Sequence, residues 1–385
     1  TPPMGWNDWY GFTERITGKI IREAADNMVS NGMADVGYQY VDIDDCWANS
    51  VREKIPGRDG PPRDGKGNIL PNSFFPDMKA LTDYIHARGL KAGIYSSPGP
   101  WTCAGFTGSY EHEEQDARQF AAWGFDFLKY DWCSYNGIVK GDTSLAARQK
   151  PYRLMGGLLK QMPRDVVFNL CQYGAANVWE WGAEVGGNSW RTGGDLIGEL
   201  NQFFEVALKN AAHGAWSKPG AWNDPDYLAI GTIVSLHGSG GLQPCPLTPT
   251  EQYAYMSLWS LMAAPLFYSG DITRLDPFTL NVLCNPEVID VDQDPLGKCA
   301  RVVPLTSETF LMIKPLEDGS HAVGLCNRGE ISAEVTAKWA ELGLAGRQTV
   351  RDLWRERDLG VFANEFKAKI PRHGVMLLKL TAAGG

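Results

Sequence analysis

The chain has 385 residues, 44% hydrophobic and 21% charged, so it can bury a sizeable core and reads as globular. Its formal charge of −9 argues against a nucleic-acid partner, and no apolar run approaches the ~20 residues that cross a bilayer. The six His show no zinc-type spacing, and there is neither a G-x-x-x-x-G-K-[ST] loop nor a G-x-G-x-x-G turn opening a helix. From the N-terminus to about residue 290 one unit recurs: a short apolar or aromatic run ends in polar residues and a helical segment follows. The runs are 3–9, 39–45, 90–96, 125–131, 166–172, 189–195, 220–226 and 265–271. Between them, 16–36, 78–88, 112–123, 144–161, 196–211 and 251–262 carry apolar residues at helical spacing, with 173–188 the weakest helix. Eight such repeats predict a (β/α)8 barrel over 1–292. Two polar, Gly/Pro-rich stretches, 49–76 and 231–248, are expected to close a pocket over its C-terminal face. Beyond 293 the runs 300–304, 309–315, 321–327, 333–336, 349–352, 366–370 and 374–380 are short and separated by turn residues, which predicts an antiparallel β-sandwich over 293–385.

Barrel sites are built where the strands end. Here those ends carry Trp6 and Asp8, Asp44 and Asp45, Tyr95, Lys129 and Asp131, Cys171 and Gln172, Arg191 and Asp195, Asp224 and Asp226, and Asp271. A single Asp at such a position commonly caps the next helix. So many strands converging with polar groups on one mouth exceed what capping explains. Two chemistries need such a mouth: divalent-metal chemistry on enolates, and glycoside hydrolysis by two carboxyl groups in distinct roles. The aromatics interleaved with the acids (Trp6, Trp9, Trp47, Tyr95, Trp132, Tyr173, Trp190, Trp222 and Tyr227) suit a sugar better than a metal cage. The 14 Trp, read alone, also fit an ordinary packed core. Strand alternation puts Lys129 and Asp131 on one face, where the ammonium is expected to keep Asp131 ionised.

At these residues the sequence resembles glycoside hydrolase family 27, the α-galactosidases and α-N-acetylgalactosaminidases. The matching stretches include PPMGWNDWYGF (2–12), YVDIDDCWA (40–48), TCAGFTGS (102–109), FLKYDWC (127–133), WRTGGDL (190–196), AWNDPDYLAIG (221–231) and SLWSLMAAPLFYSGDI (257–272). The resemblance spans essentially the whole chain. It implies Asp131 as the nucleophile and Asp195 as the acid/base of a retaining exo-glycosidase that uses no metal or cofactor. Ionised Asp131 would favour protonation of Asp195, while Arg191 works against it. It further implies Asp44 and Asp45 on the 4- and 6-hydroxyls, Lys129 on the 3- and 4-hydroxyls, Trp6 as the hydrophobic platform and Tyr95 beside the nucleophile. Arg191 and Asp226 would face the sugar's 2-position, and Cys103 and Cys133 would form a disulfide.

The segment NLCQYG (169–174) departs from the C-E-W-G common in these α-galactosidases, and Tyr227 departs from the commoner Met. Cys171 and Tyr173 leave little room for a 2-acetamido group, which favours galactose over N-acetylgalactosamine. Asp44 and Asp45 together favour a sugar with a 6-hydroxyl over β-L-arabinopyranose. Isomaltose release and sugar binding without cleavage are the remaining alternatives. The implied partner is a galactose-containing oligosaccharide, polysaccharide or glycoconjugate. The start at Thr1, the absence of sequons and the lack of any Cys in 1–30 lead to the expectation of a bacterial secreted or periplasmic protein whose leader is removed. Cys46, Cys171, Cys284 and Cys326 are expected as buried thiols, and Cys245 is given no partner.

Overall fold

In the computed structural model, which describes residues 1–234 and 241–383, all eight expected barrel strands are present. They are β1 (Met4–Asn7), β2 (Tyr40–Ile43), β3 (Lys91–Ser96), β4 (Phe127–Tyr130), β5 (Val167–Leu170), β6 (Ser189–Arg191), β7 (Trp222–Asp224) and, after the hairpin β8 (Thr232–Val234) and β9 (Leu242–Pro244), β10 (Leu266–Tyr268). They form one parallel sheet in the order β10-β1-β2-β3-β4-β5-β6-β7. Just past β7, Leu228 makes a parallel bridge to Tyr268 of β10 and closes the ring.

The helices begin where local chemistry allows. Thr17, Asp77, Ser144 and Thr248 each accept a backbone N–H in the first turn of helices Gly18–Ser30, Met78–His86, Leu145–Leu159 and Pro249–Leu261. The fifth connection holds only a single turn, Val178–Trp181. Inside the barrel, Gly93 of β3 is required because a Cβ there would meet the Asp42 carboxylate at 1.8 Å. Among the described residues, no helix is long and apolar enough to cross a membrane.

The C-terminal region has eight strands rather than the seven expected. A six-stranded antiparallel sheet runs β11 (Arg301–Pro304), β12 (Thr309–Pro315), β13 (His321–Asn327), β18 (Gly374–Ala382), β15 (Gln348–Asp352) and β16 (Arg357–Phe362). A two-stranded sheet, β14 (Ala333–Lys338) and β17 (Glu365–Ile370), covers one face. The strand not foreseen is β16. It is an edge strand, largely exposed, and a register shift at Val350/Arg351 together with Gly360 at φ +119° breaks its alternation.

Alternation in the central strands serves two cores at once. Leu311 and Ile313 of β12 and Val323 and Leu325 of β13 pack against the two-stranded sheet. Their neighbours Phe310, Met312, Ala322 and Cys326 belong to the cluster continuous with the barrel. At that contact Lys314 is fully buried, and its ammonium donates to the carbonyls of Val291 and, at 3.2 Å, Ser260. These are last-turn carbonyls of the helices Pro286–Asp292 and Pro249–Leu261, where a cation is favoured. Burial pushes the neighbouring Asp292 carboxyl up to about 8.

Candidate active site

The strand ends converge as expected, and one pocket is lined by Asp44, Asp45, Tyr95, Cys103, Lys129, Asp131, Cys171, Tyr173, Arg191 and Asp195, with Trp9 and Tyr10. Neither stretch 49–76 nor the described part of 231–248 supplies a lining residue; positions 235–240 of the latter lie outside the described residues. Stretch 49–76 instead braces the wall from behind. Arg58 donates to the carbonyls of Cys46 (2.8 Å) and Ile16 (2.6 Å). A larger cavity, about 450 Å³, lies where Thr250 and Tyr253 meet the C-terminal sheet. Its only carboxylate, Asp352, is paired with Arg355 at 2.7 Å, so it lacks the converging acids of the barrel mouth.

Beyond β2, Asp44 and Asp45 are both buried. One oxygen of Asp44 accepts from Lys129 Nζ at 2.7 Å, from Asn7 at 2.8 Å and from the Tyr227 hydroxyl at 3.4 Å. Tyr227, the departure from Met, therefore braces the Lys129–Asp44 pair, and its ring lies 5.0 Å from the ammonium. Asp45 accepts the backbone N–H groups of Ala104 (2.9 Å) and Cys46 (2.7 Å), and burial pushes its carboxyl up to about 7.

Lys129 and Asp131 share a face, while Tyr130 points outward against Tyr152 and Phe168. The ion pair of Lys129 is nevertheless with Asp44, not Asp131. Burial raises the Asp131 carboxyl above its ordinary value, and Lys129 acts only as an opposing charge, alongside three hydrogen bonds. Asp131 Oδ1 accepts from the Tyr173 hydroxyl and the Trp132 N–H, both at 2.7 Å, and Oδ2 accepts from the Tyr95 hydroxyl at 2.9 Å. Cys103 and Cys133 form a disulfide with Cα atoms 5.0 Å apart, and Cys103 Sγ lies 3.9 Å from Asp131 Oδ2. The other six cysteines are free; Cys46, Cys171 and Cys326 are fully buried, Cys284 only partly.

Arg191 organises the far wall. Its guanidinium donates to Asp195 at 3.1 Å and to the Gly194 carbonyl at 2.6 Å, and pairs with Asp226 at 3.2 Å. Burial opposes its charge, but Asp226 and Asp195 hold it well above the ordinary value. Asp195 reaches the rim with its side chain 48% exposed. Asp226 is fully buried at φ +101° and does not line the pocket. It accepts from the Tyr10 hydroxyl (2.6 Å) and the Leu196 N–H (2.7 Å), and burial pushes its carboxyl up to about 6, with Arg191 opposing. Its position is behind Arg191 rather than against a ligand.

Trp6 also differs from expectation. It is fully buried, donates its indole N–H to the Gly270 carbonyl at 2.9 Å and meets Phe12 edge-on at 6.0 Å. The alternation of β1 turns Asn7 inward to Asp44 and Trp6 outward to the helical layer. The tryptophan that lines the pocket is Trp9, three residues on. Tyr10 and Asn7 were not singled out from sequence. The signal available for Asn7 was strand parity.

A family profile described as "Alpha galactosidase A" matches residues 1–294, and one described as "Alpha galactosidase C-terminal beta sandwich domain" matches 307–380. An "Alpha-galactosidase" of Cyamopsis tetragonoloba is 40% identical over 387 residues, covering 99% of this chain and 86% of that protein. One of Oryza sativa subsp. japonica is 38% identical, covering 99% and 85%. The solved α-galactosidase I of Mortierella vinacea superposes with a TM-score of 0.87 at 30% identity, covering 100% of this chain and 97% of that one. Two profiles in sequence order and full-length identities of this size leave one assignment: the chain belongs to the α-galactosidases of glycoside hydrolase family 27.

Proposed function

We propose that this α-galactosidase is an exo-acting, retaining enzyme in which Asp131 is the nucleophile and Asp195 the acid/base. The observation that carries the reading is the contrast between the two carboxyls. Asp131 is buried and oriented by three donors, as an attacking group must be, while Asp195 stands at the open rim beside Arg191, where a leaving group departs. In the first step Asp131 attacks the anomeric carbon, the bond to the aglycone oxygen breaks, and Asp195 supplies that oxygen's proton. In the second, water adds to the anomeric carbon, Asp195 takes its proton and the carboxylate leaves with its electron pair. Two inversions retain configuration.

Asp44, Asp45 and Lys129 form the hydroxyl-gripping side, with Trp9 taking the platform role expected of Trp6. Asp226 acts through Arg191. Cys171 and Tyr173 close the side of the pocket where a 2-acetamido group would sit, which supports galactose over N-acetylgalactosamine. The substrates are galactose-containing oligosaccharides, polysaccharides or glycoconjugates. The catalytic unit is 1–292 and the sandwich 293–385. Secretion or a periplasmic location is supported by the disulfide between Cys103 and Cys133.

The test is proton NMR of p-nitrophenyl α-D-galactopyranoside hydrolysis, with the α-N-acetylgalactosaminide and β-L-arabinopyranoside in parallel. The expected result is fastest cleavage of the galactoside with α-galactose appearing first. β-Galactose as first product would sink the double displacement, and faster cleavage of another glycoside would sink the pocket argument.

A further inference from the structure

Asp131 carries an uneven load of hydrogen bonds. A carboxylate oxygen has two in-plane lone pairs. Both on Oδ1 are taken, by the Tyr173 hydroxyl and the Trp132 N–H at 2.7 Å each. Among the described residues Oδ2 accepts only the Tyr95 hydroxyl, at 2.9 Å, which leaves it one lone pair. The Tyr173 donor is held there at a backbone cost. Its φ is +63°, a region that L residues with a bulky side chain rarely adopt. The next residue, Gly174, has φ +80°, and a Cβ on it would meet the Thr192 carbonyl at 2.5 Å. The turn after β5 is thus pressed against the end of β6, and its reverse curvature aims the phenol back across the mouth to Asp131.

We propose that Tyr173 is a positioning residue that assigns the two oxygens of Asp131 different tasks, Oδ2 to attack and Oδ1 to hold the returning charge, and that it thereby speeds the second chemical step. This rests on Asp131 being the nucleophile. When Oδ2 bonds to the anomeric carbon, Oδ1 becomes the ester carbonyl and loses most of its negative charge, so its two donors are worth less. When water displaces the sugar, the C1–Oδ2 bond breaks and its electron pair returns to the carboxylate. Charge builds again on Oδ1, where Tyr173 and the Trp132 N–H already point. A donor placed this way stabilises the departure of the carboxylate and does not favour its attack.

The experiment compares wild type with Tyr173→Phe on p-nitrophenyl α-D-galactopyranoside, by steady-state and stopped-flow kinetics. Because kcat/KM reports steps through formation of the glycosyl-enzyme, it should change less than about threefold. Because kcat then reports its breakdown, kcat should fall by about tenfold, the scale of one hydrogen bond to a charged group, with KM falling alongside. A nitrophenolate burst of one equivalent should accompany the loss. Active-site titration with 5-fluoro-α-D-galactosyl fluoride normalises both rates to folded enzyme. Parallel loss of kcat and kcat/KM without a burst overturns the proposal, as does an unchanged kcat. Peptide mapping of the trapped enzyme separates the two levels: a label on any residue other than Asp131 means that the underlying mechanistic reading has failed, whatever Tyr173 does.

Discussion

Between the two C-terminal sheets, Leu311, Ile313, Val323, Leu325, Val335, Phe366 and Leu378 pack with Trp339, whose indole N–H is satisfied by the Phe362 carbonyl at 3.1 Å. The barrel mouth is buried to the same degree and contains Asp8, Asp42, Asp44, Asp45, Lys129, Asp131, Arg191 and Asp226. Several of its polar atoms have no hydrogen-bond partner among the described residues, including Asp8 Oδ2, Asp42 Oδ1, Asp226 Oδ1 and Arg191 Nε. Burial raises the carboxyls of Asp8, Asp42, Asp45, Asp131 and Asp226. On the proposed mechanism Asp131 must be charged to attack, and it is held where charge is disfavoured, whereas the apolar residues between the sandwich sheets face no such conflict. The difference teaches where each kind of substitution should register: activity at the mouth, stability in the sandwich.

The largest effect expected from that contrast is at Asp131. Asp131→Asn should lower kcat on an aryl α-galactoside by on the order of 10⁴-fold or more. Its melting temperature at neutral pH should stay level or rise. The sign follows from the raised carboxyl: in the folded state it resists ionisation, so above the ordinary carboxylate range its charge costs stability, and a neutral amide removes that cost. The same shift places the acid limb of wild-type kcat/KM above the usual carboxylate range. Calorimetry beside the kinetic assay checks both, and a melt several degrees lower would break the comparison.

Leu378→Ala probes the other side. It removes a fully buried side chain from the sandwich core and should cost about 2–5 kcal/mol of stability, while kcat per folded molecule stays within twofold. A denaturant titration read together with active-site titration measures the two separately. Loss of turnover per folded molecule would show that the sandwich tunes the mouth as well as supporting it.

The smallest effect is expected at the seam. His373, in the turn between β17 and β18, contacts Glu251 at 2.7 Å and Glu330 at 3.1 Å. Burial tends to raise the Glu251 carboxyl, but the hydrogen bonds from His373 and Thr248 hold it below its ordinary value. A depressed carboxyl contributes stability above its unfolded-state pKa and loses it as pH falls through the folded value. His373→Ala should therefore lower stability by about 1 kcal/mol at pH 6, with the difference fading below about pH 4 as Glu251 protonates. Melting curves across that range decide it, and a difference that persists at low pH would assign the loss to packing alone.

Most of the architecture was legible because its causes are local. Strand parity and helical spacing located eight barrel strands, and the polar strand ends located the mouth. What escaped depends on neighbours distant in sequence. Trp6 and Trp9 lie three residues apart, and only the inward bond from Asn7 to Asp44 shows which of them leaves the barrel wall. Asp226 stands on the motif expected to touch sugar, yet its partners are Arg191, Tyr10 and Leu196, brought to it by β6 and the turn after β1. Lys129 was expected beside Asp131 from the pleat alone. Its actual choice of Asp44 is set by pairing across strands. β16 escaped because a bulge cancels the alternation by which edge strands are read.

Lys314 bears on how small such a catalyst can be made. Its ammonium completes the ends of two barrel-side helices, and Phe310, Met312, Ala322 and Cys326 lie in the same hydrophobic cluster as the barrel. A gene truncated after codon 292 would leave two last-turn carbonyls, those of Ser260 and Val291, without their cation and an apolar surface facing water. Miniaturising the enzyme is consequently a problem of redesigning those two helix ends, and deleting the sandwich alone does not solve it.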